Sequence, residues 1–78
     1  MIYHILYEEP VYNSSAKAWK VYNETKDQKE TDTFEDREDA LLHVKLEAKY
    51  PGDVIFVHEM NGMIAKKLTR EDDHFRSS

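Results

Sequence analysis

The segment from Asp36 to Tyr50 carries apolar residues on two opposite faces of a predicted helix, and this constrains the fold of the 78-residue chain more than any other feature. At about 100° per residue, one face holds small and branched apolar side chains. They are Ala40, Leu41, Val44 and Ala48. The opposite face holds Leu42, Leu46 and Tyr50. Packing on a sheet needs only one apolar face, so the second stripe is predicted to contact another molecule or another part of the chain.

The start of this helix is strongly acidic, and helix chemistry accounts for the acids. The four carboxylates are Glu35, Asp36, Glu38 and Asp39. Negative charge at this position stabilises the positive end of the helix dipole, and Thr33 and Asp36 are each followed three positions later by an acid, as in capping patterns. At the other end, Pro51-Gly52 stops the helix. We therefore interpret the acidic run first as a solvated helix start.

Two strands and a possible third precede the helix. Met1 to Glu8 is apolar on both alternations, which is typical of a strand in the centre of a sheet. Lys17 to Tyr22 alternates, with Trp19 and Val21 on one face, and we predict that it pairs with the first strand as a hairpin. Residues 24 to 34 form either a loop or an edge strand over residues 30 to 34, and we favour the strand.

A second hairpin is predicted after the helix. The run Val54 to His58 is β-branched and aromatic, and Asn61-Gly62 follows it. That pair of residues suits a two-residue type I′ turn, because both positions tolerate positive φ. With a two-residue loop, His58 lies opposite Ala65 and Ile55 lies opposite Leu68.

These elements predict an α+β fold. The order is strand, strand, possible strand, helix, strand, strand, and the natural arrangement is an antiparallel sheet of four or five strands with one α-helix packed on one face. A chain this short is expected to form one domain, over residues 1–70. Residues 71–78 are charged and then small and polar, so they are predicted to be a flexible tail.

Composition excludes several classes of function. The formal net charge of -5 argues against nucleic-acid binding, because that binding relies on lysine and arginine to neutralise phosphates. The chain has no cysteine and its first residues, Met1-Ile2-Tyr3-His4, lack the features of a secretory signal, so a cytoplasmic protein is expected. No apolar run approaches the roughly 20 residues of a membrane span, so no membrane association is expected.

Several anchor positions together match a known pattern. They are Trp19-x-Val21, Phe34 before the acidic helix start, Ala40 in its first turn, and Val57-His58 and Gly62 in the final hairpin. On these residues, the stretch from Lys17 to Leu68 resembles a family of small bacterial and phage proteins catalogued only as a domain of unknown function. The resemblance implies a strand directly before the helix and a bacterial or phage source, and it implies no activity.

The sequence contains no recognisable catalytic or cofactor motif. Four histidines are present, but without a His-x-x-x-His pair or a cysteine pair at ligand spacing, so no metal site is expected. The two glycines, Gly52 and Gly62, lie in separate turns and cannot form a phosphate-binding loop. No nucleophile and base occur in a familiar arrangement, so we expect a protein that is not an enzyme and needs no cofactor.

Protein binding is the function that these features favour. Leu42, Leu46 and Tyr50 are the expected interface, with a second copy of the chain as the expected partner. The alternative is an acidic inhibitor that imitates DNA phosphates and occupies a nucleic-acid-binding protein of the host. Its acidic face is formed by Glu35, Asp36, Glu38 and Asp39.

Overall fold

A computed structural model describes residues 1–9, 18–25 and 32–77, and these residues form six strands and one helix. In chain order the elements are β1 (Ile2–Tyr7), β2 (Trp19–Asn23), β3 (Asp32–Phe34), α1 (Arg37–Glu47), β4 (Val54–His58), β5 (Ile64–Arg70) and β6 (Phe75–Ser77). Helix and strand segments are combined as the sequence predicts, and the α+β class is confirmed.

The six strands form one mixed sheet in the order β3-β2-β1-β4-β5-β6. All neighbouring pairs are antiparallel except β1 and β4, which run parallel, with Ile2 opposite Val54 and Ile5 opposite Val57. The prediction of a purely antiparallel sheet of four or five strands is therefore wrong in these two details. The physical reason for the parallel pair is the crossover, because the long connection that includes α1 returns the chain to the end of the sheet where β1 begins.

The sixth strand comes from the segment for which a flexible tail was predicted. Phe75–Ser77 pairs with β5, and the N–H of Glu71 donates to the carbonyl oxygen of His74 at 2.8 Å in the turn between them. Lys45 of α1 and Arg70 of β5 both place a cationic group over the Phe75 ring, at 5.8 and 5.3 Å from its centre. Phe75 is one aromatic residue in a short polar segment, and a single apolar residue does not make the alternation from which a strand is predicted.

The hairpin between β4 and β5 has a three-residue loop instead of the predicted two-residue loop. The N–H of Glu59 donates to the carbonyl oxygen of Met63 at 2.7 Å, and the N–H of Gly62 donates to the carbonyl oxygen of Glu59 at 2.9 Å. Gly62 has a φ of 90°, as in three-residue loops where a glycine follows the turn. The register shifts as a result, and His58 lies opposite Ile64 and not opposite Ala65.

Helix α1 covers one face of the sheet with the apolar face predicted for it. Its buried residues are Ala40, Leu41 and Val44, and Ala48 is buried directly after its end. The helix is shorter than predicted, because Ala48 leaves helical geometry at φ -79° and ψ 79°. Asp36 is the N-cap residue, in an extended conformation. In the part of the chain that the structure describes, no helix has the length and apolar character to cross a membrane.

The core lies between α1 and the central strands. Ile5, Val44, Ile55 and Val57 are its largest side chains with essentially no exposure to solvent. One acid is also buried here: Asp53 precedes β4 and is only 4% exposed. Its Oδ1 accepts from the α-ammonium of Met1 at 2.6 Å, and its Oδ2 accepts from the N–H of Tyr50 at 3.2 Å.

Candidate functional site

The predicted outer stripe of α1 is exposed. Leu42 is 63% exposed, and Leu46 and Tyr50 are each 69% exposed. Leu42 and Leu46 lie one helical turn apart on the side of α1 opposite the core, and Tyr50 lies three residues beyond the helix end. All three large side chains are therefore more than half exposed, two of them on the same side of α1.

The predicted acidic face is also exposed, but a cation interrupts it. All four carboxylates lie on the surface: Glu35, Asp36, Glu38 and Asp39. Three of them border an open groove of about 770 Å³ between the start of α1, Trp19 and the tip of the β4–β5 hairpin. Arg37 lies among them, with its guanidinium carbon 5.6 Å from the centre of the Trp19 ring. The face therefore has one positive charge in the middle of its carboxylates and is not a continuous row of negative charge.

On the sheet face opposite α1, two histidines from separate strands meet. Nδ1 of His4 on β1 lies 3.0 Å from Nε2 of His58 on β4. Nε2 of His4 lies 2.7 Å from Oε2 of Glu24, and Nδ1 of His58 lies 3.0 Å from the carbonyl oxygen of Gly62. The ring of Phe56 stacks on His4 with centres 5.2 Å apart. We call Glu24, His4, His58 and the Gly62 carbonyl the histidine array.

The number of protons in the histidine array follows from its geometry. A carbonyl oxygen only accepts, so Nδ1 of His58 carries the proton that it donates to Gly62, and an ionised Glu24 requires a proton on Nε2 of His4 in the same way. A third proton must lie between the two rings. Two neutral imidazoles bring only two protons. The hydrogen bonds of the array therefore need three protons in all, one more than two neutral imidazoles carry.

A third histidine lies against two carboxylates at the junction of β3 and α1. Nε2 of His43 is 3.0 Å from Oδ2 of Asp32 and 2.9 Å from Oε1 of Glu47. One atom from each of the three residues falls within 4.8 Å of the others. Phe34 packs against the His43 ring, with ring centres 5.1 Å apart. We call Asp32, His43 and Glu47 the junction cluster.

Neither histidine cluster was predicted from the sequence, and the structure shows why. The histidine array depends on the parallel pairing of β1 with β4, which no local pattern predicts. The junction cluster does have a local signal, because His43 and Glu47 are four residues apart on one helix face. The pattern expected for a metal site was two histidines at this spacing, and here the second position is a glutamate.

Comparison of the chain with protein-family models, with curated proteins and with solved structures found no match in any of the three.

Proposed function

We propose that this chain is a non-enzymatic protein-binding domain that pairs with a second copy of itself through the outer face of α1. The observation that carries the proposal is the exposure of Leu42 and Leu46 on one side of α1, with Tyr50 also exposed beyond its end. Exposed large apolar side chains grouped on one side of a small domain are a mark of an interaction site. The sequence resemblance supports a bacterial or phage source for the protein, and the absence of cysteine supports a cytoplasmic location.

The charges around the stripe favour a second copy as the partner. Asp39 precedes Leu42 by three residues, and Lys49 follows Leu46 by three residues. When two copies of the helix pack antiparallel about a two-fold axis, Leu42 of one copy meets Leu46 of the other, and Asp39 in the first turn of one helix comes near the end of the other helix, which Lys49 follows. Apolar and charged contacts are therefore satisfied by one arrangement, which is the self-complementarity that a two-fold interface requires.

Sedimentation equilibrium of the purified chain over a range of concentrations tests the proposal. We expect a dimer that dissociates when Leu42 and Leu46 are both replaced by glutamate, because two charges would be desolvated in the interface. The matched control is the pair Met60→Glu with Met63→Glu, whose side chains are 65% and 66% exposed at the hairpin tip and do not belong to α1. A wild-type chain that stays monomeric at the highest concentrations, or a dimer that survives the leucine substitutions, would refute self-association.

The alternative function is an acidic inhibitor, and the same sedimentation measurement distinguishes it from self-association. Its supporting observation is the exposure of Glu35, Asp36, Glu38 and Asp39. An inhibitor of this kind needs its target and gives no reason for the pure chain to dimerise. Arg37 over the Trp19 ring places a cation within the acidic face, which weakens the likeness to a phosphate backbone.

A further inference from the structure

We propose that the junction cluster, formed by Asp32, His43 and Glu47, is a binding site for a divalent transition-metal ion of the Zn²⁺ class. The three residues come from two elements, Asp32 from β3 and the other two from consecutive turns of α1. Their donor atoms converge within 4.8 Å. An imidazole nitrogen and two carboxylate oxygens are a ligand set used by Zn²⁺ in proteins.

Two carboxylate oxygens contact the same nitrogen of the His43 ring. They lie 3.0 and 2.9 Å from Nε2. A ring N–H points in one direction and makes one well-aligned hydrogen bond, so it serves two acceptors poorly. Ligand atoms bonded at about 2.1 Å to a tetrahedral ion lie about 3.4 Å apart, so small movements of these side chains would let one ion bind all three groups.

Charge points to a cation in the same way. With a neutral imidazole, the cluster holds two negative charges from Asp32 and Glu47. Among the residues that the structure describes, His43 is the only cationic partner within ion-pair distance of either carboxylate. The nitrogen ligand favours a borderline transition-metal ion over Mg²⁺ or Ca²⁺, which prefer oxygen ligands throughout.

A second histidine in the chain shows what an ordinary ion-paired histidine looks like. His74 also contacts two carboxylates, with Nδ1 2.9 Å from Oδ1 of Asp73 and Nε2 3.2 Å from Oε2 of Glu71. These contacts use opposite nitrogens of the ring, so one ion cannot bind all three groups at this site. The hydrogen bond that His74 donates to Asp73 raises the pKa of His74, as expected for an imidazolium held between acids. His74 is therefore a matched control for His43.

A bound ion would connect the edge of the sheet to the helix. Asp32 lies on β3, which pairs only with β2 among the described strands, and the other two ligands lie on α1. Three protein ligands leave further coordination positions, which face solvent because Asp32 and Glu47 are exposed. Water or a side chain of another molecule can fill those positions. Since the ion binds only the folded chain, it should raise the midpoint of thermal unfolding.

Isothermal titration of the metal-free chain with ZnCl₂, in a buffer that does not bind metals, tests the site. We expect one Zn²⁺ per chain, and we expect His43→Gln or Glu47→Gln to weaken binding by more than about tenfold, since even a residue that only orients a metal ligand is worth about 10- to 100-fold in affinity. His74→Gln should bind as wild type does. As a second measurement, Co²⁺ should broaden the NMR signals of the Phe34 ring, which packs on His43.

Three results would overturn the proposal. One is the absence of Zn²⁺ binding by the wild-type chain at millimolar metal. Another is unchanged affinity in His43→Gln, judged on a variant whose circular dichroism shows that it is folded. The third is loss of binding in His58→Gln while His43→Gln still binds, because that result would place the ion at the histidine array. None of these outcomes depends on whether the chain dimerises, so failure here and failure of the proposed function are distinguishable.

Discussion

Replacing Ile55 by alanine is expected to lower the free energy of unfolding by about 2 to 5 kcal/mol, the range found for large-to-small substitutions in well-packed cores. Ile55 has no exposure to solvent and lies on β4, between Tyr3 of β1 and Leu68 of β5. It belongs to the cluster that α1 covers, where Val44 is equally buried. The surrounding strands are held by ladders on both sides and cannot collapse into the space left by the side chain.

Urea unfolding followed by circular dichroism measures this loss, and the control is Ile64→Ala on the neighbouring strand. Ile64 is 57% exposed, so its truncation should change the free energy of unfolding by no more than about 0.5 kcal/mol. A domain of this size has a total stability of about 4 to 12 kcal/mol, so the Ile55 variant should lose a large share of it. Equal effects of the two substitutions would contradict the assignment of Ile55 to the core.

Replacing Asp53 by alanine is the second substitution with a large expected effect, about 2 to 3 kcal/mol, in the range for hydrogen bonds to charged groups. The two carboxylate oxygens of Asp53 accept from the Met1 ammonium and from the N–H of Tyr50. Removing them takes the acceptor away from both donors, and most of the loss comes from the contact between the buried carboxylate and the Met1 ammonium. The backbone of Asp53 also joins Arg70, whose N–H donates to its carbonyl oxygen at 2.7 Å, and this bond does not depend on the side chain.

Asp72→Ala is the appropriate comparison, because Asp72 is an exposed aspartate in the turn before β6. Urea unfolding of both variants should show a large loss for Asp53 and a change near zero for Asp72. Asp53→Asn should lie between wild type and Asp53→Ala, since one amide oxygen can still accept from one of the two donors. If Asp53→Ala is as stable as wild type, the carboxylate contacts do not contribute to folding as described.

Elements with a local pattern were predictable from sequence. The apolar period of α1 identified the residues that face the core, because a helix repeats its faces every few residues whatever it packs on. The pairing of β1 with β2 and the partner of Ile55, which is Leu68, also followed from local order along the chain. The short strand before the helix was predicted over residues 30 to 34 and lies at Asp32–Phe34, with residues 30 and 31 outside the described part.

Features that depend on contacts distant in sequence could not be predicted. No sequence pattern within β1 or β4 predicts that the two strands pair, and the histidine array forms only because they do. The length of the hairpin loop, and with it the partner of His58, was wrong for a different reason, since Asn61-Gly62 is compatible with both a two-residue and a three-residue loop. In the structure the side-chain oxygen of Asn61 accepts from the N–H of Met63 at 3.0 Å, which stabilises the longer loop.

The parallel pairing of β1 with β4 has a consequence for the order in which the chain assembles. It joins two antiparallel halves, β3-β2-β1 and β4-β5-β6, each made of strands that follow one another in sequence. Strand pairing within one half of the sheet closes only short loops. Pairing Ile2 with Val54 closes a loop that contains most of the chain, so it costs more chain entropy. The two halves should therefore form early, and the joint between them, where His4 meets His58, should set the rate of folding.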